Sequence, residues 1–444
     1  MGGEVYWLSG YYRPILLVCI GLWGWGFNLL LLCRQHIDPN YLLHIHPNDK
    51  KPYQSIFDMS LVVSLIVAFN MWFYSRLVLD DNQPSWLPLL AYLSVLSVLF
   101  WPGQTLYRKE RIRFIRLIRR VISFNLFSTV YFGDIIFADL LTSFSNVFGD
   151  LFLTLCIVIP GKSHFEYQQL EANLDNACYR DLLVPLIISL PYVIRLRQCI
   201  SEFIESKYET KRHLFNAMKY ASAFPVIALS AIQKKAALYI SETGTIPSAS
   251  WIKDDNLFRL WMLAVFMNSM YSFWWDIAMD WSLIQVTYDH PTKHGVHHPR
   301  QSSTPMIRIR RHLHFSWSWV YVLAILLDFV LRITWSLKLS SHIYFQRIAG
   351  NIFLVELLEV VRRWLWIIFR LENEWVKRGS GLPTNTTDRH SPSTRRPSAS
   401  STAPHLPHQI HTSNDIPLHD RPSKTMLTPI GEDPDEGDPF LMDK

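Results

Sequence analysis

The stretch YRPILLVCIGLWGWGFNLLLLC, from Tyr12 to Cys33, decides the fold. It holds a single charge, Arg13, at its edge. A helix needs roughly 20 consecutive apolar residues to cross a bilayer, and this stretch supplies them. It is too long for a signal-peptide core, and no small-residue cleavage site follows before Arg34 and Gln35, so a retained first span is expected. With about eleven residues ahead of it, no soluble N-terminal domain is expected either.

The rest of the chain repeats the pattern. Of 444 residues, 49% are hydrophobic and 14% aromatic, while charged residues reach only 18%, against about 25% in an average soluble domain. Too few charges remain to cover the apolar residues, and 17 Trp with 19 Tyr suit interfacial belts. Apolar blocks recur near 12–33, 56–75, 85–102, 130–160, 182–203, 214–235, 257–284, 314–337 and 344–370. They predict an all-α fold, a polytopic transmembrane helical bundle of about nine spans (range 8–10). The block 130–160 is long enough for a steeply tilted helix or one with an interfacial start. Three divisions follow: N-terminal spans over 1–104, polar spans over 105–376, and a tail over 377–444. The tail turns abruptly to Ser, Thr, Pro, His and Asp and is expected to be disordered.

Basic residues gather beside apolar blocks, so the net charge of +6 reports topology and not nucleic acid. Tyr107-Arg-Lys-Glu-Arg-Ile-Arg-Phe-Ile-Arg-Leu-Ile-Arg-Arg120 is the most basic segment. It is expected in the cytosol, as an amphipathic helix on an anionic leaflet. Alternating the loops from there puts the C-terminus in the cytosol, where the Asn385-Thr-Thr sequon would stay unmodified and Ser391 and Ser398 would be open to phosphorylation. Cys19, Cys33, Cys156, Cys178 and Cys199 show no CxxC spacing, so neither a disulfide framework nor a zinc site is expected. The histidines of Tyr288-Asp-His-Pro-Thr-Lys-His-Gly-Val-His-His298 suggest a metal. Pro291, Gly295 and Pro299 break any helix that would align them, and a solvated loop is expected instead. No phosphate loop, HExxH or Ser/His/Asp arrangement appears, so neither an enzyme, a cofactor nor a metal is expected.

Ionisable residues inside the spans carry the functional signal, because each costs about 2.5–3.5 kcal/mol at a helix centre unless a partner or watery cavity receives it. Asp139, Lys219, Asp328, Arg332, Glu359, Arg362 and Arg363 all lie in predicted spans. Asp276 and Asp280 stand four apart, a spacing that puts both carboxylates on one α-helical face. Lys219, Arg332, Arg362 and Arg363 can cage a tetrahedral oxyanion, since guanidinium offers a fork of donors that keeps its charge. The aspartates would hold the cations while the site is empty. The competing reading is that these charges only pin helices together, with Asp328 paired to Arg332 and Glu359 to Arg363, or that Arg362 and Arg363 snorkel to the cytosolic surface.

The polar spans resemble the EXS family, which joins the fungal ER-retention-defective proteins to the phosphate exporters. The pieces that carry the likeness are Phe137-Ala-Asp-Leu-Leu-Thr-Ser143, Arg195-Leu-Arg-Gln-Cys199, Asn216-Ala-Met-Lys-Tyr220, Trp275-Asp-Ile-Ala-Met-Asp-Trp-Ser-Leu283, Leu331-Arg-Ile-Thr-Trp335, Glu359-Val-Val-Arg-Arg-Trp364 and Phe369-Arg-Leu-Glu-Asn-Glu374. The resemblance makes 105–376 a transport domain. It implies a phosphate pathway through Asp139, Lys219, Tyr220, Asp276, Asp280, Arg332, Trp335, Glu359, Arg362 and Arg363. Thr142 departs from the Asn expected in the exporters, which puts one polar contact in doubt. No SPX domain is expected in this chain, which places it with the ER-retention-defective branch. That branch implies a multi-pass Golgi protein, with cycling to the ER left open, that returns phosphate released in the lumen by glycosylation to the cytosol. The partners it implies are inorganic phosphate, the lipid bilayer, cytosolic retention factors and Golgi glycosyltransferases, with a homodimer left open. The alternative is a non-transporting sorting receptor or scaffold that retains Golgi enzymes.

Overall fold

Large apolar side chains point outward at helical spacing, while charged ones are buried. On the helix that carries Asp328, that residue is 0% exposed and Val330 is 54% exposed. This inversion of the soluble pattern is what a lipid solvent selects. The computed structural model describes residues 11–43, 51–79, 86–158, 180–243, 254–288, 305–310, 312–338 and 349–379.

The described elements are α1 (Arg13–Arg34), α2 (Pro39–Leu42), α3 (Pro52–Leu79), α4 (Trp86–Phe100), α5 (Arg108–Ile122), α6 (Phe132–Ser143), α7 (Ser145–Val158), α8 (Arg180–Glu205), α9 (Lys211–Ala221), α10 (Ala223–Thr243), α11 (Asp254–Trp275), α12 (Ser318–Lys338) and α13 (Ala349–Gly379). A π-turn over Asp276–Asp280 follows α11, and strands β1 (Ile284–Tyr288) and β2 (Pro305–Ile309) precede α12. Every predicted span therefore contains helix. By length and composition, four helical segments among the described residues can cross a membrane, or five if the bent pair α6–α7 counts as one. The other predicted spans are less apolar or shorter: α4 has 15 residues, and α11, α12 and α13 carry ionisable residues.

Helix α1 is threaded between two groups. Its Tyr12, Ile15 and Cys19 pack with Val63 and Val67 of α3 and with Ala91 and Val95 of α4. On the opposite side Gly24 meets α13, where an added Cβ would lie 1.8 Å from the Trp364 ring. Small residues allow this close approach. One turn on, Asn28 donates to the Trp364 carbonyl at 3.2 Å.

Four expectations change. The block 130–160 is two helices bent by 60° at Phe144, and the bend exposes the hydroxyls of Thr142 and Ser143 to the interior. Asp276 and Asp280 sit in a π-turn closed by Trp281 N–H to the Asp276 carbonyl at 2.8 Å, not on a regular α-helical face. The segment expected as a basic loop around 288–311 begins and ends in an antiparallel hairpin pairing Ile284 with Ile309. Arg310 anchors it by donating to both Glu372 oxygens at 2.5 and 2.6 Å and to Asn373 at 3.0 Å. The apolar side of α5 packs on protein along part of its length: Leu117 and Val121 meet Ala138 and Ile194, and the Phe114 and Phe137 rings meet edge-on, while Ile112 and Ile122 stay exposed.

Helix α13 runs on to Gly379, past the boundary expected at 376. The remainder of the tail, with Asn385, Ser391 and Ser398, lies outside the described residues. So do Cys178 and the histidine loop beyond Tyr288.

Candidate functional site

The buried charges converge on one cavity between α6, α8, α9, α11, α12 and α13. The space open to the centre of a water-sized sphere is about 60 Å³. At roughly 10–15 Å³ per water it holds several waters or one small oxyanion. Lys219, Arg332, Arg362 and Arg363 line it together with Asp276, Glu359 and Tyr220.

Three of the four lining cations are paired with carboxylates. Lys219 Nζ lies 3.5 Å from Asp280 Oδ2 and 3.7 Å from Asp276 Oδ1. Arg332 donates to Asp276 and lies 3.8 Å from Asp328 in its own helix. Arg362 donates to Glu359 at 2.7 and 2.9 Å and to Asp328 at 3.3 Å. Its Nη1 also lies 3.6 Å from Asp276. Asp276 is thus shared by three cations from three helices.

Arg363 differs. Its Nε donates to Ser143 Oγ at 2.8 Å and its Nη2 to Thr142 Oγ1 at 3.1 Å. Among the described residues no carboxylate oxygen lies within 4 Å of it, although the residue is 7% exposed. Glu359, the partner expected for it, is taken by Arg362. Ser143 joins the two systems by donating to Glu359 at 2.7 Å. Arg362 and Arg363 are buried in the middle of α13 and do not snorkel. Thr142 therefore serves the cavity despite departing from the expected Asn: its hydroxyl accepts from Arg363 and donates to the Asp139 carbonyl at 2.7 Å.

Asp139 stands one layer behind. It accepts from Arg195 Nε at 2.9 Å and from Tyr220 OH at 2.5 Å, while Arg195 Nη2 donates to the same phenol at 3.1 Å. This orients Tyr220, which faces the cavity. Asp280 similarly stands behind Lys219, between it and Arg370 at 3.8 Å. The structure thus gathers nine of the ten expected residues. Trp335 falls on α12 beyond the residues whose side chains are described.

Sequence reasoning named Asp328 as a partner of Arg332 and quoted Arg195 and Ser143 in motifs without giving any of the three a place in the pathway, and it left out Tyr192, Asn268 and Ser272. Two signals were available. Asn268, Ser272, Asp276 and Asp280 recur every four residues, a polar stripe along an otherwise apolar span. Arg195 and Gln198 stand three apart inside another span, and Arg195 Nη1 donates to Gln198 at 2.6 Å.

The EXS family model matches residues 8–376, which takes in every helix described above except the last residues of α13. The chain belongs to the EXS family. Among its relatives, Protein ERD1 homolog 1 of Schizosaccharomyces pombe is 29% identical over 82% of this chain and 89% of its own length. Protein ERD1 of Kluyveromyces lactis is 29% identical over 56% of this chain and 59% of its own length. Phosphate transporter PHO1-1 of Oryza sativa is 25% identical over 81% of this EXS chain, which spans only 40% of the rice protein. The EXS match also fits the polytopic membrane architecture.

Proposed function

We propose that this EXS protein is a Golgi-membrane carrier of inorganic phosphate that returns phosphate released in the lumen by glycosylation to the cytosol. One observation supports this above the others: Arg363 faces the cavity held by two hydroxyls and by no carboxylate among the described residues. A network built only to pin helices would gain by giving each buried cation its own carboxylate, because an uncompensated buried charge costs about 3–5 kcal/mol. Arg363 instead keeps its charge for a transient anion. Three neighbouring cations, each shared among carboxylates, can turn toward that anion as it arrives.

Phosphate as the anion draws support from the rice relative's name, and the Golgi from the resemblance to the ER-retention-defective branch of the family. Asp139, Tyr220, Asp280 and Trp335 complete the pathway in this reading. Residues 105–376 form the transport unit, since every lining residue falls within them. Residues 1–104 brace it, and the segment from 377 lies in the cytosol. Retention of glycosyltransferases and recycling of ER residents then follow from a lumen kept low in phosphate.

The test is uptake of labelled phosphate by proteoliposomes holding the full chain, with sulfate as competitor. Saturable uptake that phosphate competes for better than sulfate is expected. Uptake no faster than in protein-free vesicles would end the proposal.

A further inference from the structure

Helix α5 carries six arginines and one lysine, and the structure accounts for only three of them. Arg111 is buried and caps the end of α4, donating to the carbonyls of Val98, Trp101, Gly103, Thr105 and Leu106. Arg113 pairs with Glu110 at 3.1 Å and Arg120 with Asp134 at 2.7 Å. Arg108, Lys109, Arg116 and Arg119 are exposed and meet no carboxylate among the described residues. At about 100° per residue these four fall within an arc of about 100°. One face of α5 is therefore a row of free cations, with Leu117 and Val121 on its other side packed on α6 and α8.

The row is fixed in place at both ends. Arg111 ties its start to the last carbonyls of the apolar helix α4, which is where such a helix leaves the hydrocarbon. At its end, Arg197 of α8 donates to the carbonyls of Val121 at 3.3 Å and Asn125 at 3.1 Å, and to Ser128 Oγ at 3.2 Å. The turn held by Arg197 projects Phe124 and Phe127, which are 70% and 83% exposed. Trp101 flanks the other end at 56% exposed. Aromatic groups on both sides of a cationic row suit the headgroup layer, where rings enter the acyl boundary and cations meet phosphates.

We propose that Arg108, Lys109, Arg116 and Arg119, flanked by Phe124 and Phe127, bind the headgroups of anionic phospholipids in the leaflet at which α4 ends. Charge complementarity selects the occupant, and the exposed phenylalanines select a lipid over a soluble acidic protein. This site is separate from the central cavity and does not depend on what the cavity carries.

The test is intact mass measurement of the purified full chain in detergent, titrated with phosphatidylserine or phosphatidylcholine. The natural chain is expected to keep phosphatidylserine about tenfold better. Changing all four cations to Gln abolishes the preference. A chain with Lys at all four positions keeps it, and Phe124→Ser with Phe127→Ser weakens both lipids alike. An unchanged thermal midpoint shows that the Gln chain is folded. Equal retention of the two lipids by the natural chain, or an undiminished preference in the Gln chain, would overturn the proposal. Binding of a polyglutamate peptide without phosphatidylserine preference would assign the face to an acidic protein and overturn it too.

Discussion

Arg363 reaches from the middle of α13 to Ser143 at the bend between α6 and α7, with its Nε 2.8 Å from the serine oxygen. The bend is what makes this contact available, because Ser143 is the last residue of α6 and Thr142 precedes it. Broken helices at membrane depth are tolerated where they line a cavity. Here the break supplies neutral acceptors to a cation, so its charge is oriented without being neutralised.

Replacing Ser143 by Ala should therefore misplace Arg363 without removing it. We expect affinity for phosphate to fall about tenfold, the effect of losing one charge-assisted hydrogen bond. Isothermal titration in detergent with Ser143→Ala and Ser143→Thr measures this. The Thr variant should keep most of the affinity, because its hydroxyl can accept the same bond.

Asp276 should behave in the opposite way. Three cations share it, so Asp276→Asn leaves Lys219, Arg332 and Arg362 richer in positive charge. The expected outcome is tighter phosphate binding with slower turnover, read as a lower KM and a lower maximal flux. A lower KM with an unchanged maximal rate would show that release does not depend on this carboxylate.

The hairpin lock predicts a stability effect separate from transport. Arg310 and Glu372 are both buried, and Tyr321 OH donates to the same carboxylate at 3.0 Å. Removing one partner strands a buried charge at a cost of about 3–5 kcal/mol. Glu372→Gln should lower the thermal unfolding midpoint more than the double change Arg310→Met with Glu372→Leu, which removes both charges. A fluorescence-monitored melt in detergent distinguishes the two.

Gly24 sets the distance between α1 and α13. Gly24→Val should destabilise by about 1–3 kcal/mol through overpacking against the Trp364 ring. Adding Trp364→Ala should recover part of the loss in the same melt.

The positions of helices were legible because apolar blocks report them directly, and every block forms helix. The ionisable residues were legible for a related reason, since lipid makes each of them expensive. What composition could not show was pairing. Glu359 and Arg363 are one turn apart, yet the carboxylate goes to Arg362 and the bend at Phe144 gives Arg363 its hydroxyls. The π-turn at Asp276 and the inward face of α5 depend equally on neighbours far along the chain. Arg195 was read only as part of a motif and given no role, because its partners, Asp139 and Tyr220, lie 56 and 25 residues away in sequence.

The central claim is that Arg363 keeps its charge for a transported anion. Labelled phosphate flux into proteoliposomes holding the natural chain or Arg363→Gln tests it most directly, with matched thermal midpoints confirming the fold. The account predicts saturable flux that drops by at least about tenfold in the variant. Equal flux in the two would contradict it.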